Sequence, residues 1–199
     1  MRMKLCTALF TLAASAGFLA WPVPSARAGA FEHEPVTIFF VRHAETAGST
    51  RTGGDPGLSQ AGRERAEALA RLLSHAGVGQ LFSSEFARTR ATLAPLAQLL
   101  EKQLRIVPAR EREEQLEELR RLEPGTVAVV AGHSNTVPGL VFGLGGKIEG
   151  LVREDSREAL LDHDQYDRVF VVTLDARTRL AQTTLELRYG PALPSPGGR

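Results

Sequence analysis

The chain is nearly without cysteine: of its 199 residues only Cys6 carries a thiol, and it lies in an apolar leader. A domain lacking that leader forms no disulfide and no thiolate metal site, so its stability rests on an apolar core alone. An excess of charge of one sign is also missing, since 24 Lys and Arg stand against 23 Asp and Glu. That balance gives no basic surface of the kind nucleic acid requires, and no nucleic-acid partner is expected. Uncharged apolar runs long enough to approach a membrane span are absent too, with one exception at the amino terminus.

The exception is Leu5 to Trp21. Arg2 and Lys4 precede it, Pro22 and Pro24 follow it, and Ala26-Arg27-Ala28 has the small-x-small pattern of a signal-peptidase site. These features predict a secretory signal peptide over 1–28 and a periplasmic or secreted protein. The run falls short of the ~20 residues a transmembrane helix needs, so no stable membrane anchor is expected after cleavage. Cys6 stands at the start of the run, the wrong end for a lipid anchor. Cleavage removes Arg2, Lys4 and Arg27 and no acidic residue, which takes the net charge from +1 to −2. The remaining ~170 residues suffice for one domain with a sizeable core. That domain is expected over 29–190, with a disordered Pro/Gly tail over 191–199.

Within 29–190, apolar strands alternate with helical patterns. Val36 to Val41 reads as a buried strand, and its carboxyl end delivers Arg42 and His43. A Gly/Ser/Thr/Pro loop over Thr46–Gly57 follows, with Arg51 a candidate ligand contact. Ser59 caps a helix running to about His75 and closed by Gly77, where His75 is read as structural. Gln80 to Ser84 is a short strand that leads into a helix from Glu85 to about Leu100, with Pro95 a candidate kink. A brief strand over Arg105–Val107 and a charged helix over Arg110–Leu122 come next. Thr126 to Gly132 is the second clear buried strand, ending in His133, Ser134 and Asn135. A short helix with Pro138 in its first turn ends at Gly143–Gly146, and Lys147–Asp167 reads as a loop carrying at most a turn of helix. Arg168–Asp175 and Leu180–Tyr189 form a hairpin. The whole predicts an α/β fold, a three-layer α/β/α sandwich. No surface apolar stripe marks an oligomer interface.

Strand ends then point Arg42, His43, Arg88 and His133 at one rim, and ligands bind at such rims in open α/β sheets. Two guanidiniums and two imidazoles suit a small tetrahedral dianion, because the arginine fork matches phosphate oxygens. Backbone N–H groups after Gly132, at the start of the short helix, are expected to add positive potential. A neutral imidazole in that cluster can attack phosphorus.

Four segments, in order, resemble signatures of the histidine phosphatase (phosphoglycerate mutase-like) superfamily, first branch. They are Arg42-His43-Ala44-Glu45, then Asp55 with Leu58, Ser59 and Gly62, then Ser84 with Arg88 and Thr92, and last Gly132-His133-Ser134. The resemblance implies a phosphohistidine formed on His43, with Arg42, Arg88 and His133 holding the phosphoryl oxygens. It also implies a mostly parallel sheet with one antiparallel strand and no requirement for a metal or other cofactor. Ser134 and Glu45 are further candidate substrate contacts, and Glu45 is equally a candidate for orienting the nucleophile loop; Arg90 and His163 are read as structural. The expected activity is hydrolysis of a phosphoric monoester or phosphoramidate, on a small phosphorylated substrate or a phosphoprotein. The alternatives are mutase-like phosphoryl transfer, which Ser49 disfavours because mutases tend to have asparagine there, and a catalytically silent phosphate-binding protein. The general acid of the ester-cleaving relatives has no clear counterpart. Glu111, Glu113, Glu114, Asp164 and Asp167 are the candidates, and compact relatives manage without one.

Overall fold

The structure is a computed structural model that describes residues 34–48, 54–153 and 159–190. The expected signal peptide, the tail over 191–199, Ser49 and the loop residue Arg51 lie outside the described residues. Six strands form one sheet: β1 (Val36–Arg42), β2 (Gln80–Ser83), β3 (Leu104–Ile106), β4 (Val127–Gly132), β7 (Arg168–Leu174) and β8 (Ala181–Arg188). Their order across the sheet is β3-β2-β4-β1-β7-β8. The first four in that order pair in parallel, and β7 runs antiparallel to both β1 and β8. The expected sheet with a single reversed strand is what forms.

The helices are α1 (Gln60–Leu73), α2 (Ala87–Leu99), α3 (Arg112–Arg120) and α4 (Thr136–Gly143). Side chains alternate across β1, so Val36, Ile38 and Phe40 meet Leu116 and Leu119 of α3 and Val137 and Leu140 of α4. Val41 joins the opposite cluster with Leu69 and Leu73 of α1 and Leu93 and Leu96 of α2. The sheet is thus covered on both faces, which is why β1 and β4 are apolar at nearly every position. Among the described residues no helix is long and apolar enough to cross a membrane.

Local chemistry sets the boundaries. The Ser59 hydroxyl accepts the Gly62 N–H at 3.1 Å and starts α1. The helix stops at Leu73, two residues before His75, and Gly77 at φ +70° turns the chain towards β2. Pro95 is accommodated inside α2, which continues to Leu99.

Lys147–Asp167 differs from expectation. Instead of a helical turn it holds a two-stranded ribbon, β5 (Val152–Arg153) against β6 (Ala159–Leu160). Gly150 at φ +63° interrupts any helical path just before it. The edge strand β8 leaves Leu185 and Leu187 exposed, an apolar pair at the surface that was not anticipated.

Register places the site. Arg42 lies opposite Gly132, and Ser83 opposite Ala131. The residues that follow β1, β2 and β4 therefore emerge side by side at one rim, where the connection from β1 to β2 passes over β4. The stretch leading into the reversed strand β7 arrives at the same rim, since Val169 pairs with Val41.

Candidate active site

Arg42, His43, Arg88 and His133 come together at this rim, all four buried. The His43 and His133 rings are 5.4 Å apart, edge to face. Arg88 brings Nη2 to 3.4 Å from His133 Nδ1.

His43 sits one residue beyond β1, and its own N–H donates to Gly132 O at 2.8 Å. Its Nδ1 lies 2.8 Å from Ala44 O. A carbonyl only accepts, so Nδ1 carries the hydrogen and, in the neutral ring, Nε2 keeps its lone pair. Burial holds the His43 pKa down to about 3, against the Ala44 hydrogen bond, and the charges of Arg42, His133 and Arg88 lower it further. The His133 pKa is likewise lowered to about 4, by burial and then by Arg88 and Arg42. Both rings are neutral at ordinary pH, and the fixed positive charge belongs to the arginines.

Each guanidinium is clamped by neighbouring groups. Arg42 Nη1 donates to the carbonyls of Asp162 (2.7 Å) and His163 (3.1 Å), and Nη2 reaches the Tyr166 hydroxyl at 3.4 Å. Its central carbon lies 4.2 Å from the Tyr166 ring centroid. Arg88 Nη1 meets Asp55 Oδ1 at 3.2 Å, and its central carbon lies 4.2 Å from the Phe86 ring centroid. The Nε–H groups of both arginines are buried without a partner among the described residues. Two guanidiniums whose charges reach the neutral His43 ring make a site for an oxyanion.

Supporting residues explain the remainder of the sequence signatures. Thr92 Oγ1 accepts the Ala44 N–H at 2.9 Å and donates to Arg88 O at 2.8 Å, joining the loop after His43 to α2. Asp55 Oδ2 accepts the Ala87 N–H at 2.8 Å. It caps α2 from a distant loop, where the local cap residue Phe86 offers no side-chain acceptor. A Cβ at Gly132 would lie 2.7 Å from Thr136 Oγ1, so the residue before His133 has no room for a side chain.

Other candidate residues make contacts within the protein. The carboxylate of Glu45 is not turned to a substrate. Arg65 Nε lies 2.9 and 3.0 Å from its two oxygens, Arg65 Nη2 lies 2.7 Å from Oε1, and the Arg65 side chain is 1% exposed. A carboxylate held so firmly by a buried cation anchors the loop after His43 to α1. The His133 N–H is also taken, donating to Thr136 Oγ1 at 2.8 Å, so it adds nothing to an anion site. Ser134 is half-buried, and its carbonyl accepts the Leu161 N–H at 2.9 Å, tying down the 161–166 wall.

Among the acid candidates, Asp167 pairs with Arg188 at 2.8 Å. Glu111, Glu113 and Glu114 are exposed at the start of α3, where the Glu111 carboxyl raises the Glu114 pKa. Asp164 is exposed, and its charge acts on Arg42. Ligand atoms of Asp162, His163 and Asp164 fall within 4.8 Å of one another. A cation there would face the repulsion of the adjoining Arg42.

Sequence reasoning did not find Tyr166, Phe86, Thr89 or the carbonyls of residues 162 and 163. Asp55, Ser84 and Thr92 stood in the recognised signatures but without a role.

Residues 38–120 match the model of the histidine phosphatase superfamily (branch 1). A PE-PGRS family protein, PE_PGRS11 of Mycobacterium tuberculosis (strain ATCC 25618 / H37Rv), is 36% identical over 81 residues, which is 38% of this chain. The chain spans only 14% of that relative's length. The fold is similar to that of a protein assigned as the phosphohistidine phosphatase SixA of Nakamurella multipartitia, at 20% identity and a TM-score of 0.54, covering 78% of this chain and 96% of that one. It is also similar to the protein histidine phosphatase SixA complexed with tungstate, at 16% identity and a TM-score of 0.54, with 77% and 96% covered. A mycobacterial glucosyl-3-phosphoglycerate phosphatase shares the fold at 14% identity and a TM-score of 0.53, with 80% and 100% covered. The matched segment holds Arg42, His43, Asp55, Ser84 and Arg88, and the β3-β2-β4-β1-β7-β8 sheet adds His133 beside them. By that segment, and by a fold shared with such phosphatases, the chain is similar to the histidine phosphatase superfamily, branch 1.

Proposed function

We propose that the protein is a phosphatase that hydrolyses a phosphoric monoester or phosphoramidate through a phosphohistidine on His43. The observation that carries this reading is the hydrogen bond from His43 Nδ1 to Ala44 O, which leaves the Nε2 lone pair beside two buried guanidiniums. Arg42 and Arg88 hold the phosphoryl oxygens through their guanidinium N–H groups, with His133 alongside. His43 Nε2 attacks phosphorus, and the bond to the leaving oxygen or nitrogen breaks with its electron pair going to that atom. Water then attacks the phosphohistidine, releasing phosphate and restoring the neutral ring. The charge that stabilises the transferring group comes from the arginines, and activity is expected to be insensitive to EDTA. The substrate is a small phosphorylated molecule or a phosphoprotein. The protein works in the periplasm or outside the cell after loss of residues 1–28, a reading supported by the leader's charge, apolar run and Ala26-Arg27-Ala28.

The test is hydrolysis of p-nitrophenyl phosphate by the wild type and by His43→Ala, with an acid-labile, alkali-stable label sought on the wild type. Turnover and label that both vanish in His43→Ala support the reading. Phosphate binding without turnover in the wild type favours a silent binding protein, and transfer of label to a second organic acceptor favours a mutase.

A further inference from the structure

His133 is tied at both ring nitrogens, and the direction of each hydrogen bond can be worked out from its neighbours. Arg88 Nη2 is only a donor and lies 3.4 Å from Nδ1, so Nδ1 presents its lone pair. Nε2 then carries the hydrogen and donates to Ser84 Oγ at 3.0 Å. The Ser84 hydroxyl passes its own hydrogen to Thr89 Oγ1 at 2.8 Å. Thr89 Oγ1 donates in turn to Phe86 O at 2.8 Å, at the start of α2. Ser84 and Thr89 are both buried. The chain Arg88, His133, Ser84, Thr89, Phe86 runs one way and gives both His133 nitrogens and both hydroxyls a partner.

This arrangement has a consequence for an arriving oxyanion. A phosphoryl oxygen is an acceptor, and so is His133 Nδ1 in this tautomer. Turning the ring to offer its other nitrogen would break the bond to Ser84 inside a packed site. We propose that Ser84 is a positioning residue that fixes His133 as the Nε2–H tautomer, so that His133 engages the phosphoryl group only by taking up a proton from solvent at Nδ1. The imidazolium so formed is a third cationic donor beside Arg42 and Arg88. The inference rests on the phosphatase reading of the site.

The charges that face His133 set the sign. Arg88 and Arg42 oppose its protonation, Asp55 favours it, and the neutral His43 and Phe86 rings complete its surroundings at 5.4 and 5.1 Å. In the free protein these groups, together with burial, keep the ring neutral. A bound dianion offsets the two arginines and raises the pKa of His133 in the complex. Affinity is then greatest at low pH and weakens by about tenfold per pH unit, between the His133 pKa of the free protein and that of the complex.

The experiment is a sulfate titration of the full chain labelled with ¹⁵N-histidine, followed by NMR at several pH values between about 5 and 8. Sulfate is a tetrahedral dianion that does not itself titrate in that window. Signals are assigned through single His→Gln substitutions at His33, His75 and His163. The expected result is a free His133 with hydrogen on Nε2 alone, both nitrogens protonated once sulfate binds, and the tenfold-per-unit slope. Ser84→Ala frees the ring to take the Nδ1–H tautomer and flattens that slope to less than about twofold per unit, while Ser84→Thr, which keeps the hydroxyl, retains it. Sulfate binding, seen at His43, with His133 still neutral overturns the inference and leaves the phosphatase reading standing. A free His133 already protonated on Nδ1 overturns it as well, without any variant. Failure of sulfate to perturb either His43 or His133 overturns both.

Discussion

Arg65 and Tyr189 show how differently two buried polar side chains can be treated in one molecule. Arg65 is matched by both carboxylate oxygens of Glu45 and by Tyr189 O at 3.0 Å. Glu45→Ala strands that cation in the core. It is expected to cost about 3–5 kcal/mol in urea unfolding, with a much smaller loss when Arg65→Met is added. The Tyr189 hydroxyl, by contrast, is buried without a partner among the described residues, and burial raises its pKa. Removing an unsatisfied polar atom loses no bond, so Tyr189→Phe should leave the urea midpoint unchanged or raise it. A lower midpoint would mean that the hydroxyl has a partner in solution. At this scale the sequence was legible where side-chain type specifies chemistry, as at Arg42, His43, Arg88 and His133. It was not legible where backbone does the work. The carbonyls of residues 162 and 163 hold Arg42, and no residue type announces them.

Elements meet at the site through close backbone approach. An added Cβ at Gly62, in the first turn of α1, would lie 2.1 Å from Glu45 O. Neither backbone can move without moving the loop that carries His43. Gly62→Ala is expected to destabilise by about 1–3 kcal/mol or more and to cut the proposed phosphatase activity beyond what the stability loss explains. Circular dichroism and p-nitrophenyl phosphate turnover, measured well below the melting transition, separate the two effects. An unaltered kcat with a lowered Tm would show that the loop does not feel the helix. The long periodic elements were readable because an apolar face of several turns or a run of buried strand positions leaves a repeating mark. The β5–β6 ribbon left none, since two residues per strand are too few to show a period. The capping of α2 by Asp55 was hidden for another reason: its donor and acceptor lie 32 positions apart in the chain.

For the whole molecule, concentrating neutral imidazoles at a cationic rim ties folding to pH. His43 and His133 have folded-state pKa values of about 3 and about 4, against 6.5 for a free side chain. A depressed histidine pKa means that the unfolded chain binds protons first as pH falls. Their contribution is therefore complete above about pH 6.5 and is lost progressively towards pH 4 and then 3, at up to about 1.4 kcal/mol per pH unit for each ring. The carboxylates with lowered pKa, Asp162 and Asp175, start from 3.8 and so act mainly at the acid end of that range. Urea unfolding at intervals from about pH 7 to 4.5 should show stability falling with acid, and His43→Asn combined with His133→Asn should remove most of the slope. Sulfate adds an opposing dependence. If the dianion draws a proton onto His133, the stabilisation it provides grows as pH falls, so the acid-induced loss is partly cancelled at fixed sulfate. If sulfate binding is blind to the protonation of His133, the stability curves with and without the anion run parallel across the same window.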